Sequence, residues 1–292
     1  MRGTLLLVFA QIMVGINIVT CKYLLTHVQP LFLLSVRFTF ATCLSLLLYF
    51  MFDDKKMALP QRLRQLSKSD WFYTLMQAIS AGLLFNWLMI SGLNYTDANV
   101  AGIITSALPA LITILSWLVL GEKMSAKKYF CLFFATLGLM TLAMDKCRQW
   151  GDTHSVVGDL IVLASLIPEA CYYVLHQFHT VKLPVFLMST LLNGMNAVII
   201  VALCCLSQTA WPTLVFMDSL ILIMLSLTST LFFVLWLFGS QHVDGMMASL
   251  TTAVAPLATV VLAWIILREQ LTWMQSLGMG FVILSILTYA KR

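Results

Sequence analysis

Glu169 is the residue with the most chemistry to offer. It sits beside Pro168 inside a long apolar run, and Tyr172, Tyr173 and His176 follow it at i+3, i+4 and i+7. Those intervals bring most of the set onto one stripe of a helix. A carboxyl, two phenols and an imidazole on one stripe could hold an amine with an apolar body, or pass a proton through an apolar layer. A charged carboxylate at mid-membrane depth costs about 2.5–3.5 kcal/mol on insertion scales, so such a residue marks a binding site or ion path by default. The structural alternative is a Glu paired or protonated inside a helix bundle for stability.

A wider circle of polar and aromatic residues lies in other apolar runs. Asn17 and Asn86 suit bundle hydrogen bonding and cavity lining equally. Trp87 and Trp236, with the two tyrosines, are candidate cavity aromatics, although aromatics at helical spacing more often pack or face lipid. Asn193 and Asn196 are three apart and share a face. They are read as interhelical hydrogen-bonding groups, worth about 0.6 kcal/mol. Arg37 and Lys22 lie near the ends of their runs, where a long cation reaches water, and are read as interfacial. The seven cysteines show no CxxC or Cys/His ligand spacing. No GxGxxG, Walker lysine loop, HExxH or Gly-x-Ser-x-Gly occurs, so ATP-driven work, hydrolysis, cofactors and metals are not expected.

The elements that must position these groups follow from composition. Of 292 residues 61% are apolar and 10% charged, against about 25% charged in a soluble domain. Apolar runs of roughly 20 residues recur along the chain, each long enough to cross about 30 Å of hydrocarbon. The chain is an integral membrane protein whose general partner is the lipid bilayer. Its net charge of +5 sits in membrane-flanking loops, which argues against nucleic acid as a partner.

Ten spans are predicted: about 3–25, 30–51, 71–90, 98–120 and 129–144, then 156–177, 184–206, 217–238, 245–267 and 273–290. Asp97 is placed to N-cap span 4. The first span is broken by Asn17 and Lys22 and has no suitable cleavage site, so it is kept as a span and not as a signal peptide. Residues of the fourth span recur in the ninth. Ala101, Thr105, Pro109, Trp117 and Glu122 match Ala248, Thr252, Pro256, Trp264 and Glu269, all 147 positions on, and Gly92 and Asp97 match Gly239 and Asp244. The chain is therefore read as two five-span repeats, 1–146 and 147–292. Pro109 and Pro256 are predicted helix kinks at equivalent places, since proline removes a backbone donor. With the N-terminus cytoplasmic, twelve Lys and Arg fall on the inner side and four on the outer, which favours both termini inside. An odd number of spans per repeat turns the second repeat upside down, a device that lets two halves rock around a central site.

The stretch from Ala101 through Pro109 to Glu122 and its copy from Ala248 through Pro256 to Glu269 resemble the repeated motif of the drug/metabolite transporter superfamily, in particular its EamA-type members. Lys22 and Arg37 add to the likeness, which covers essentially the whole chain. One departure is Arg268 before Glu269, where the first copy has Gly121, and this is expected to weaken the second helix stop. The resemblance implies an all-α membrane protein with ten transmembrane helices as two inverted repeats around a central cavity lined by spans 1, 3, 4, 6, 8 and 9. It implies a secondary-active transporter of the cell inner membrane, and peripheral fifth helices that could support a homodimer. Joined to the Glu169 stripe, it points to a small amino-acid-like or amphiphilic amine substrate, exported by alternating access, with protons as a further partner. Three alternatives stay open: a same-fold importer of a nutrient or cofactor such as S-adenosylmethionine, a membrane-embedded enzyme, and a non-transporting partner protein.

Overall fold

The computed structural model describes residues 2–52, 59–121, 153–179, 183–207, 214–243, 251–252 and 254–290, with residues 130, 133, 134, 137, 141 and 248. Most of the fifth predicted span, the start of the ninth and Glu122 lie outside the described residues. Among the described residues the chain is helical, and seven helices are long and apolar enough to cross a membrane. They are α1 (Arg2–Leu24), α2 (Pro30–Phe52), α4 (Lys68–Leu93), the broken helix Ala98–Leu120, α7 (Val156–Phe178), α8 (Val185–Leu206) and α9 (Phe216–Ser240). A short helix α3 (Leu59–Arg64) precedes α4, and α10 (Val254–Leu267) and α11 (Trp273–Ala290) complete the set.

Local chemistry sets where these helices begin and break. α4 starts earlier than the apolar pattern suggests, at Lys68, because Ser67 and Asp70 form a reciprocal capping box. The fourth span is interrupted: α5 (Ala98–Thr105) ends in a turn at Ser106–Ala107, and α6 (Leu108–Leu120) resumes with Pro109 in its first turn. Proline is tolerated there because first-turn N–H groups have no intrahelical partner. Thr105 and Ser106 donate their hydroxyls back to the carbonyls of Gly102 and Ile103. Pro256 likewise lies in the first turn of α10, after a turn at Thr252. Both prolines thus follow breaks, sharper features than the kinks expected.

The second helix stop is not weakened as expected. Gly121 ends α6 in the left-handed region at φ 66°, and Arg268 ends α10 in the same region at φ 57°. For a non-glycine residue this costs about 1–2 kcal/mol. Two π-helical stretches, Ala78–Leu84 in α4 and Ala263–Leu267 at the end of α10, widen their helices.

Packing joins the first half of the chain to the second throughout. α1 lies along α9 and α10, while α7 lies along α4 and the α5–α6 pair. α2 packs on α8 and α9, α8 also on α4, and α5 on α10. Exchanging each of spans 1–4 with the span five later maps these pairings onto one another. Two glycine contacts obey the same exchange. Gly3 of α1 meets Gly239 of α9 at one end of the bundle, and Gly92 of α4 meets Gly158 of α7 at the other. A Cβ on any of the four would come within 2.9–3.1 Å of its partner's carbonyl oxygen.

At the Gly92 end, the turn between α4 and α5 is held from three sides. Lys22 Nζ donates to the carbonyls of Leu93 and Thr96, both at 2.8 Å. The Thr96 hydroxyl donates to Asp159. Glu269 accepts the N–H groups of Ala98 at 3.1 Å and Asn99 at 2.7 Å. Asp97 occupies the N-cap position with extended backbone but makes no side-chain cap bond. The predicted cap is therefore corrected: the carboxylate comes from the far end of the chain. Lys22 is likewise no free interfacial cation but closes the C-terminus of α4, where helix dipole and unpaired carbonyls favour positive charge. Burial pushes the Glu269 carboxyl above the usual carboxylate range, against the opposing pull of the Asn99 and Ala98 amides.

Candidate functional site

Side chains of α1, α2, α4, α7 and α9 line a common cavity within the bundle. Its polar lining is Asn17, Cys21, Arg37, Asn86, Glu169, Tyr172 and Ser229; Phe85, Met89, Phe232 and Phe233 supply much of the apolar wall. Spans 1, 3, 6 and 8 line it as expected, spans 4 and 9 do not, and span 2 enters through Arg37.

Each polar lining group is held by identifiable backbone chemistry. Just past the π-helical turn of α4, Asn86 Nδ2 donates to the Ala81 and Gly82 carbonyls at 2.8 and 2.7 Å. That fixes the amide so that Asn86 Oδ1 accepts from Arg37 Nη2 at 2.6 Å. The guanidinium also lies 4.8 Å from the centroid of the Phe38 ring, a cation–π distance. Arg37 is only 5% exposed and its Nε has no partner among the described residues. The interfacial reading of Arg37 is thereby overturned: the side chain turns into the protein and not toward water.

Glu169 is 4% exposed and lines the cavity with no hydrogen-bond or ion-pair partner among the described residues. Pro168, before it, leaves the α7 backbone one donor short at this level. Tyr172 lines the cavity beside it, and its buried hydroxyl has no partner among the described residues. Asn17 donates to Thr228 Oγ1 at 2.8 Å, tying α1 to α9, while its Oδ1 has no partner among the described residues.

Four of the eight candidate residues thus meet at the cavity: Glu169, Tyr172, Asn17 and Asn86. The other four are placed elsewhere. Tyr173 and Trp236 form a layer behind the lining, their rings edge to face at 4.7 Å, and the Tyr173 hydroxyl is 3.3 Å from Gln11 Nε2. His176 lies about 10 Å farther along α7 than Glu169, bonded to Ser240 at 3.3 Å and stacked on Tyr172. Trp87 is 40% exposed on the outer surface of α4. It follows Asn86 directly, roughly 100° around the helix, so the residue whose amide meets the π-turn carbonyls turns inward and its neighbour turns out. Asn193 and Asn196 also depart from expectation. Each amide donates to the carbonyl four residues earlier in its own helix, Ser189 and Leu192, and not across helices. The link between α2 and α8 is instead Ser45 with Ser189 at 3.0 Å.

Sequence reasoning missed Arg37, Cys21, Ser229 and the Phe232–Phe233 pair as lining residues. The signal for Arg37 was present as a cation in an otherwise apolar helix, with an amide, Asn86, on the next span.

The sequence profile of the family described as the EamA-like transporter family matches residues 1–144 and 156–290. Among curated relatives, "Uncharacterized transporter YetK" of Bacillus subtilis (strain 168) is 27% identical over 94% of this chain and 82% of its own length. "Uncharacterized transporter YyaM" of the same organism is 25% identical over 95% of this chain and 90% of its own. A solved crystal structure superposes on 99% of this chain and 96% of its own with a TM-score of 0.73 at 17% identity, a likeness of fold.

Proposed function

The chain belongs to the EamA-like transporter family, and from that premise we propose that it is a ten-span secondary-active transporter exporting a small amino-acid-like or amphiphilic amine across the cell inner membrane. Both termini are cytoplasmic, and the substrate site is the central cavity. The observation that carries this reading is Glu169, a buried carboxyl on the cavity wall with no partner of its own among the described residues. An intramembrane acid without a partner is retained for what enters the cavity, a cation or a proton.

Alternating access is supported by the exchange symmetry of the packing. The Gly3–Gly239 and Gly92–Gly158 contacts close opposite ends of the bundle with equivalent residues, so one rocking motion can loosen either end around a fixed site. In the proposed orientation the Gly92 end is the outer one.

The test is counterflow of labelled amines and amino acids into proteoliposomes. Wild-type protein exchanges at least one of them, and Glu169→Gln lowers the rate and removes its dependence on pH. Unchanged rate and pH profile in Glu169→Gln would sink the assignment of this carboxyl.

A further inference from the structure

The exchange that maps the helix packing onto itself does not map the cavity onto itself. Matching the two glycine contacts makes Gly3 equivalent to Gly158 and Gly92 to Gly239. In those registers Tyr173 of α7 is equivalent to Ile18 of α1, 155 positions earlier, and Trp236 of α9 to Met89 of α4, 147 positions earlier. Ile18 and Met89 line the cavity, whereas Tyr173 and Trp236 do not. The lining is displaced toward the Gly92 end, where it reaches Cys21 and Leu93 in the last turns of α1 and α4.

Toward the opposite end, side chains from three helices close the space. Gln11 of α1, Tyr173 and Trp236 are 0, 5 and 2% exposed. Gln11 is three residues nearer the Gly3 end than Val14, and Trp236 three nearer Gly239 than Phe233, both of which line the cavity. Gln11 Nε2 donates to the Tyr173 hydroxyl at 3.3 Å, and the Tyr173 and Trp236 rings meet edge to face at 4.7 Å. For a core, this layer is loosely held. The 3.3 Å bond is long for its type, and Gln11 Oε1 and Trp236 Nε1 have no partner among the described residues. Buried polar atoms without partners destabilise the closed layer, and water admitted between the three side chains would satisfy them.

We propose that Gln11, Tyr173 and Trp236 form the gate at the Gly3 end of the transport path, closed in this structure. When it opens, Tyr173 and Trp236 join the lining, as Ile18 and Met89 do here. The proposal rests on the alternating-access reading above and names the residues that one of its two closures uses.

Cys21, a lining thiol, reports which end admits solute. A small membrane-impermeant methanethiosulfonate is applied to right-side-out and inside-out vesicles carrying the full chain, and modification of Cys21 is followed by peptide mass spectrometry. A protease-sensitive tag on the N-terminus shows which face each preparation exposes. Labelling from a given side follows the population open to that side, so wild-type Cys21 reacts about tenfold or more faster from the Gly92 side. Trp236→Ala and Gln11→Ala each raise the rate from the Gly3 side about tenfold and leave the other rate within about twofold. Equal wild-type rates, a faster rate from the Gly3 side, or no reaction from either side overturn the gate without relying on any variant. An unchanged Gly3-side rate in Trp236→Ala overturns it too. A variant that reacts fast from both sides has lost its fold, and the wild-type asymmetry then decides. Counterflow with equal labelling removes the gate and leaves transport standing, whereas one-sided labelling without counterflow of any amine or amino acid removes the transport reading and keeps the one-sided closure.

Discussion

Replacing Glu269 should cost more than replacing Asp97, although Asp97 occupies the residue position where helix rules put the cap. Glu269 accepts two backbone N–H groups at the start of α5, at 3.1 and 2.7 Å, whereas Asp97 accepts none. A helix cap is worth about 0.5–2 kcal/mol, and charge-assisted bonds fall toward the upper part of that range. Glu269 is only partly buried, so solvent screening brings the expected loss for Glu269→Ala to about 1–1.5 kcal/mol. Asp97→Ala should stay within about 0.5 kcal/mol, as for a surface change away from any specific contact. Thermal unfolding of the two variants in the same detergent gives the comparison. A larger loss from Asp97→Ala would refute the cross-chain cap. The pH dependence adds a second reading with a definite sign. Burial raises the Glu269 carboxyl above its ordinary range, with Asp97 reinforcing the rise and Lys22 opposing it. The packed state therefore binds the proton more readily than the unfolded chain. The associated stabilisation is complete below the ordinary carboxylate range and fades as pH rises through the raised value. Wild type should lose stability relative to Glu269→Gln as pH increases through that window, and a gain would contradict the argument.

Three further expectations can be checked with the same preparations. Arg268→Gly should raise stability by about 0.5–1 kcal/mol, since glycine takes the left-handed conformation at 57° without the side-chain clash; no change in the melting temperature would count against strain there. Gly82→Val should lower the melting temperature, because a Cβ there overlaps Asn196 Nδ2 and must push that amide off its bond to the Leu192 carbonyl; an unchanged melting temperature would show that the amide moves aside at no cost. Trp87→Leu should leave counterflow within about twofold of wild type, as expected of a residue on the outer surface, and a tenfold loss would return Trp87 to the substrate path.

Seven of the spans were legible because each is an apolar run of bilayer length, and the matching of Pro109 with Pro256 was legible because 147 residues separate the matched residues of the two stretches. Glu169, Tyr172, Asn17 and Asn86 could be picked out by their polarity in apolar surroundings. Arg37 could not be assigned a direction by depth alone. A cation about 10 Å into a helix can reach back to water or inward, and what decides is the π-turn of α4, which orients Asn86. Nothing in the apolar pattern marks that turn. The Glu269 cap was illegible for another reason: donor and acceptor lie about 170 residues apart, so no local capping rule could join them. Trp87 shows the limit of residue type as a guide, since an aromatic next to a cavity residue has even access to lipid.

The Arg37–Asn86 bond also bears on how the chain is made. Both partners belong to the first 100 residues and to helices that emerge early, with the Ala81 and Gly82 carbonyls that fix the amide between them. The guanidinium can therefore be solvated by protein while the second half is still on the ribosome. Glu169 has no such companion in its own helix or in the helices made before it, among the described residues. In chain order the cation thus has its partner first, and the Glu169 carboxyl follows without one among the described residues. Insertion of α7 is the step that brings an unpartnered carboxyl into the bundle.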